Sequence, residues 1–269
     1  ICDRPAPHGV AGEHVAPYRA AMSLPSLSLP RLIGHRGAAA YAPENTLSSL
    51  REARRRGAPW VEFDVNLSAD DVPLLMHDAK LTRTTGLDQP VAATPWAAIE
   101  RLDAGAWMGA AFAGERVPSL EAAIAALAAL GLGANVEIKP SPGREAEVAR
   151  AVVAMLRRLW PAHLPTPLLS SFKDTALAAA RDAAPELPRA ILIDELQDDW
   201  QDRAAAVAAV GVNTNGRKLA AARAAANKAA GYKLSVYTVN DPALARDLVA
   251  MGVDCVITDA PDIIAAAIG

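Results

Sequence analysis

The sequence predicts an α/β fold, a closed parallel (β/α)₈ or TIM barrel, from three observations. Strand-like and helix-like patterns alternate and yield eight strands, each followed by a helical stretch or a longer insertion. The length, 269 residues, is ordinary for one such barrel. The chain is 52% hydrophobic but only 4% aromatic, so a large core can form from small and aliphatic side chains with close helix contacts. An open doubly wound sheet is the alternative, but no Gly-x-Gly-x-x-Gly loop supports it.

In chain order, a strand over 31–34 precedes a helix over 45–56 and a strand over 60–67. The second strand runs on to Asp70-Asp71 and returns through 73–77, two extended runs around a tight turn that read as a hairpin. Residues 78–117, with Trp96, Trp107 and Phe112, enlarge it into a small insertion, 65–117, expected to cap the barrel mouth. The alternation then resumes. Helices are predicted over 119–130, 144–159, 174–183, 200–210, 217–230, 242–251 and 261–268, and strands over 134–139, 168–172, 190–194, 212–215, 234–239 and 255–258. In the first of these helices Leu120, Ile124, Leu127 and Leu130 recur at helical spacing. Gly57, Gly131, Gly211, Gly231 and Gly252 fall near helix ends, where C-cap chemistry favours glycine. The basic run Arg54-Arg55-Arg56 suits the negative end of a helix dipole and reads as a last turn.

Residues 1–30 are rich in Pro, Ala, Ser and His, show no period, and read as an irregular arm ahead of a domain over 31–269. Met22 is the expected natural start. The net charge of −3 and pI of about 6.0 do not suggest a nucleic-acid partner. Cys2 and Cys255 make no disulfide framework and are compatible with a reducing cytosol. No apolar run reaches spanning length, so membrane insertion is not expected, and a cytoplasmic protein is. The sequence leaves the oligomeric state open.

The chemistry concentrates between residues 33 and 77. In strand 60–67, Val61, Phe63, Val65 and Leu67 alternate with Glu62, Asp64 and Asn66. Alternate strand residues face opposite sides, so the apolar set should meet the helices and the acids should point into the barrel. Asn135, Glu137 and Lys139 alternate with Val136 and Ile138 in the same way. Barrel strands present functional residues at their C-terminal ends, so Glu62, Asp64 and Glu137 can converge there. Three converging carboxylates repel, and a hard divalent cation relieves that repulsion; oxygen donors fit Mg²⁺ or Ca²⁺ better than Zn²⁺. His35 and His77 add an acid–base pair suited to neutral pH.

These residues form an ordered set of motifs: His35-Arg36, Glu62-x-Asp64, His77-Asp78 and Glu137-Ile138-Lys139. With them stand PENT at 43–46, DAG-x-W at 103–107, GE-x-V-P-x-L at 114–120, LLSSF at 168–172, VYTVN at 236–240 and ITD at 257–259. From about Arg31 onward the chain resembles the glycerophosphodiester phosphodiesterase family, and most of all its bacterial cytosolic branch. The resemblance implies a metal-dependent hydrolase acting on a small glycerophosphodiester. It implies Glu62, Asp64 and Glu137 as ligands of one divalent cation, Mg²⁺ first and Ca²⁺ or Mn²⁺ as alternatives. His35 and His77 match the general base and acid pair, in either order, Arg36 and Lys139 the cationic contacts to phosphate, and Glu44 a supporting glutamate. Phe172, Tyr237 and Trp107 fall where residues of the family's mouth would shape the glycerol or alcohol pocket, though ordinary packing would account for them equally. A lysophospholipase D-like diesterase and a non-catalytic phospho-ligand-binding barrel are the rival readings. The chain departs from the family at Ala38-Ala39-Ala40, where glycines are frequent, and at Asp70-Asp71, where Asp-Gly is common. A modest local cost is expected at the latter, since aspartate tolerates positive φ.

Overall fold

A computed structural model of the chain describes residue 25 and residues 27–269, so Cys2 and Met22 lie outside the described residues. Strands and helices follow in the order β1 (Leu32–Gly34), α1 (Leu47–Arg55), β2 (Trp60–Leu67), β3 (Pro73–Leu75), α2 (Thr82–Thr85), α3 (Trp96–Ile99), α4 (Leu120–Leu130), β4 (Gly133–Ile138) and α5 (Glu145–Leu159). They continue as β5 (Leu168–Ser171), α6 (Asp174–Ala183), β6 (Arg189–Ile193), α7 (Trp200–Ala206), β7 (Gly211–Asn215), α8 (Ala221–Ala229), β8 (Lys233–Tyr237), α9 (Pro242–Ala250), β9 (Cys255–Thr258) and α10 (Pro261–Ile268). β1 pairs in parallel with both β2 and β9 and closes the ring, which excludes the open doubly wound sheet. β3 lies outside the ring, antiparallel to the far end of β2, as the predicted hairpin requires.

The two faces of β2 divide as its alternation predicts. Val61, Phe63, Val65 and Leu67 join Leu50, Leu120, Leu127 and Val148 in the layer between strands and helices. On the other face Trp60 packs in the barrel interior with Ile33, Leu168, Ala190, Cys255 and Ile257, and Leu27 and Leu29 of the preceding segment pack against that cluster. Trp60 also explains Gly133, because a Cβ there would stand 2.3 Å from the indole nitrogen. The insertion carries its own small core of Leu74, Met76, Leu81, Val91, Ile99 and Val117, with Trp96 against it.

Helix ends follow local chemistry. Ser119 caps α4 by accepting from Ala122 N, and Gly131 ends it in the left-handed conformation. α1 begins at Leu47 and not at Asn45, because Asn45 takes φ +56° and Thr46 caps the helix. α7 is shorter than the predicted 200–210: Ala208, at φ +49°, turns the chain just after Val207. Gly211 accordingly is no helix cap; it opens β7. Likewise α8 starts four residues late, at Ala221, because Asn215 holds the preceding turn through Arg217 N and Lys218 N. Asp71 adopts φ +62° in the hairpin turn, and Arg144 pairs with its carboxylate. The basic run closes α1, with Arg55 and Arg56 both on Glu52 and Arg56 stacked 3.2 Å from the Tyr41 ring centre.

Arg189 is a charge that the hydrophobic pattern of β6 does not announce. It is 1% exposed, and burial pushes its guanidinium down to about 10. Its nitrogens donate to Val207 O (3.0 Å), Leu187 O (2.6 Å), Ala184 O (3.2 Å) and Ala208 O (3.2 Å). It thus gathers the carbonyls that α6 and α7 leave unpaired at their C-terminal ends. Arg189→Met keeps the volume but orphans these acceptors, at a cost of about 1–3 kcal/mol for a buried polar group left unsatisfied. A loss of about 2–4 kcal/mol is expected in urea unfolding; an unchanged midpoint would contradict this role.

Candidate active site

The site lies at the C-terminal rim of β1, β2 and β4, with β9 and the hairpin beside it. Parallel register sets Asp64 of β2 opposite Glu137 of β4. Glu62, Asp64 and Glu137 are all buried, and one ligand oxygen from each lies within 4.8 Å of the others. Glu62 Oε2 accepts from Arg36 N (3.0 Å), while its buried Oε1 has no hydrogen-bond partner. Asn45 grips Asp64 twice, its Nδ2 donating to Oδ2 (2.9 Å) and its Oδ1 accepting from Asp64 N (3.2 Å). That grip needs Asn45 at φ +56°, a conformation asparagine tolerates better than most residues.

Electrostatics single out a shortage of positive charge among these acids. Burial, with Asp64 and Glu137 nearby, pushes Glu62 well above the usual carboxylate range. Burial and Asp64 push Glu137 up to about 7, although Lys139 pulls against them from 3.0 Å. Asp64 goes the other way: burial would raise it, but Lys139, Arg36 and His77 hold it below its ordinary value. Lys139 Nζ is 3.4 Å from Asp64 Oδ1, and Arg36 Nε is 3.4 Å from Oδ2. An all-oxygen donor set with one unpartnered buried oxygen and two carboxyls pushed toward protonation fits a divalent cation.

Each histidine is oriented by a carboxylate. Register between β1 and β9 sets Gly34 beside Thr258, so the next residues, His35 and Asp259, are neighbours. His35 Nδ1 donates to Asp259 Oδ1 (2.6 Å), and Asn240 Nδ2 donates to the other oxygen of that carboxylate (2.6 Å). This leaves Nε2 of His35 facing inward, 3.8 Å from Glu62 Oε2. His77, just beyond β3, donates Nδ1 to Asp78 Oδ1 (2.6 Å). Burial, and then the charges of Arg36 and Lys139, depress His77 below the usual imidazole value despite Asp64. A carboxylate can only accept, so both rings are held with the proton on Nδ1 and a free Nε2.

Arg36 sits at φ +50° in a loop knitted by Ser49, whose Oγ donates to Arg36 O (2.7 Å) and accepts from Ala38 N (2.8 Å). A Cβ on Gly37 would stand 2.4 Å from that Oγ, so the glycine is a steric necessity. Arg36 Nη1 donates to Glu44 Oε1 (2.7 Å). Phe172 and Tyr237 meet edge to face at 5.9 Å, with Lys139 Nζ 5.7 Å from the Phe172 ring centre. Tyr237 is anchored by its hydroxyl on Ile193 O (3.1 Å). Trp107 stays on the insertion surface, 46% exposed, its indole donating to Ala104 O (2.8 Å). The sequence reading assigned no role to Asp78, Asp259, Asn45 or Arg83. Asp259 could have been found by closing the ring on paper, since the residue after the last strand must stand beside the residue after the first.

Against known proteins, the family model described as "Glycerophosphoryl diester phosphodiesterase family" matches residues 35–263. A glycerophosphodiester phosphodiesterase of Bacillus subtilis is 30% identical over 95% of this chain and 92% of its own length. The structure of a phosphodiesterase from Oleispira antarctica, in complex with the product sn-glycerol-3-phosphate, is 40% identical and superposes with a TM-score of 0.87 over 89% of this chain and 97% of that one. A longer human relative, glycerophosphoinositol inositolphosphodiesterase, is 34% identical over 58% of this chain, and the match spans 33% of that protein. Both the motifs and the barrel that displays them thus lead to one assignment: the chain belongs to the glycerophosphoryl diester phosphodiesterase family and is an enzyme, a phosphodiesterase.

Proposed function

We propose that this phosphodiesterase hydrolyses glycerophosphodiesters such as glycerophosphocholine and glycerophosphoethanolamine to glycerol-3-phosphate and the free alcohol. The observation that carries this is the meeting of three buried carboxylates, two carboxylate-oriented histidines and two cations at one rim. The product bound to the Oleispira antarctica relative supports it. Glu62, Asp64 and Glu137 would hold one divalent cation, Mg²⁺ by preference and Ca²⁺ or Mn²⁺ as alternatives that suit oxygen donors. When bound, the ion supplies a Lewis acid for a phosphoryl oxygen.

The protein's own groups do the rest. Arg36 and Lys139 face the charge that builds on the phosphoryl oxygens in the transition state. One histidine takes the proton of the glycerol 2-hydroxyl as that oxygen bonds to phosphorus. The other, entering the step as an imidazolium with a second proton on Nε2, gives that proton to the alcohol oxygen as the P–O bond to the alcohol breaks. The two then exchange roles while water opens the cyclic phosphate; direct attack of water on phosphorus is the alternative route and uses the same groups. Glu44 fixes Arg36, and Phe172 and Tyr237 wall the glycerol or alcohol pocket. The low cysteine content suits work in a reducing cytoplasm.

The test is release of glycerol-3-phosphate from both diesters with Mg²⁺, Ca²⁺ or Mn²⁺ and with EDTA. Release that needs the ion and stops with EDTA is the expected result. Faster turnover of lysophosphatidylcholine than of glycerophosphocholine would overturn the substrate assignment. Binding of the diesters without turnover by metal-loaded protein would overturn the reaction.

A further inference from the structure

The barrel alone does not account for how His77 and Arg36 are held, because both lean on carboxylates that a third group gathers. That group is Arg83, on the one-turn helix α2 of the insertion. Its Nη1 donates to Glu44 Oε2 (2.8 Å) and its Nη2 to Glu44 Oε1 (2.7 Å). Its Nε donates to Asp78 Oδ2 (2.7 Å). Glu44 is the carboxylate that holds Arg36, and Asp78 is the one that orients His77. The contacts make one chain in which N–H donors and carboxylates alternate: His77, Asp78, Arg83, Glu44, Arg36.

We propose that Arg83 is a positioning residue, which sets His77 and Arg36 in fixed relation by clamping their two carboxylate partners in one guanidinium fork. This rests on the reading that His77 and Arg36 act on the phosphodiester. The fork is planar and its five N–H directions are fixed, so it dictates the separation and tilt of the two carboxylates; a lysine ammonium could satisfy the charge but not the geometry. Without Arg83, Asp78 keeps its bond to His77 but can swing about the chain, and the ring swings with it. Glu44 keeps Arg36 alone on the same terms. Charge tells the same story: burial would raise both acids, yet Arg83, with His77 on one side and Arg36 on the other, holds Glu44 below its ordinary value and Asp78 at about 2.

The rival explanation is a plain surface ion pair that fastens the insertion. The side chain is 43% exposed, and pairs at such exposure contribute little to stability. The two accounts therefore part on activity. A positioning role predicts a loss of turnover out of proportion to any loss of stability.

The experiment uses full-length, metal-loaded protein with Arg83→Met, Arg83→Lys and, as a control, Lys80→Met. Lys80 lies on the same segment but pairs outward with exposed Asp88. Steady-state kinetics on glycerophosphocholine, melting temperature and long-range ¹H–¹⁵N spectra of the imidazoles are recorded, with His77 assigned by its loss in His77→Gln. Arg83→Met is expected to lower kcat about 10–100-fold, the range for groups that orient a functional side chain. Its melting temperature should stay at the wild-type value, and the His77 nitrogens should move from the single Nδ1–H tautomer toward averaged shifts. Arg83→Lys should recover less than half of the lost turnover, and Lys80→Met should match the wild type. Turnover of Arg83→Met within about threefold of wild type, or a loss matched by melting of the insertion with unmoved His77 signals, would overturn the proposal. If the wild type itself does not turn over the diester, the functional reading fails, and the His77 spectrum alone then decides whether Arg83 positions that ring.

Discussion

Removing either imidazole, in His35→Ala or His77→Ala, is expected to lower kcat by about 10²–10⁴-fold, the span typical of a lost general acid or base. Both rings are held by a carboxylate on Nδ1 at 2.6 Å, so each presents one nitrogen to the substrate in a fixed tautomer. That preorganisation is lost with the ring and is not replaced by water in the vacated space. His35 and His77 are part-buried at the rim and outside the main hydrophobic layers, so stability should change by less than about 1 kcal/mol. The two losses should not add. With the proton donor gone, the acceptor has little left to accelerate, and the double variant should fall close to the worse single one. Turnover of glycerophosphocholine by each variant, with KM measured separately, checks this. A single variant that keeps more than about a tenth of wild-type kcat would remove that histidine from the chemistry.

The second large effect concerns the acids. Glu62→Gln or Glu137→Gln should weaken Mg²⁺ binding by more than about 10²-fold, since even residues that merely support metal ligands matter by 10–100-fold. Activity should fall with binding and return only in part at high Mg²⁺. The wild type should also show a definite pH dependence. Without a cation, Glu137 titrates at about 7 and Glu62 also stands above its ordinary value, so protons occupy the place of the ion. Stability from these raised groups is fully present below their unfolded value, about 4.3, and is lost as pH rises through the folded value. The ion compensates in that same window. The rise in melting temperature on adding Mg²⁺ should therefore be larger near about pH 8 than near about pH 5.5, with protons released on binding. Calorimetry in two buffers of different ionisation enthalpy checks the proton release. An ion-induced shift that shrinks as pH rises would contradict the assignment.

Much of this was legible in the sequence because strand alternation is a strong signal. Glu62 and Asp64 could be placed inside from their neighbours alone, since Val61, Phe63 and Val65 claim the helix side. The eight-stranded ring followed from rhythm. What stayed hidden depended on backbone reversals and on contacts distant in sequence. Helix periodicity carried straight through Asn45 and Ala208, whose positive φ values end the pattern where no glycine marks the break. The helices of the insertion are single turns, too short to show a period, so nothing in the pattern drew Arg83 toward the site. Arg189 lay just outside the predicted strand over 190–194, and its bonding to carbonyls of two successive helix ends exists only after the barrel has packed.

The bond between His35 and Asp259 spans 224 residues. On a ribosome adding about 5–20 residues per second, the histidine emerges some 10–45 s before the carboxylate that orients it. Ring closure waits on the same event, since β9 completes the circle begun by β1. A nascent chain therefore cannot orient His35 through Asp259 until its last strand is made, and this part of the site is assembled together with the finished fold.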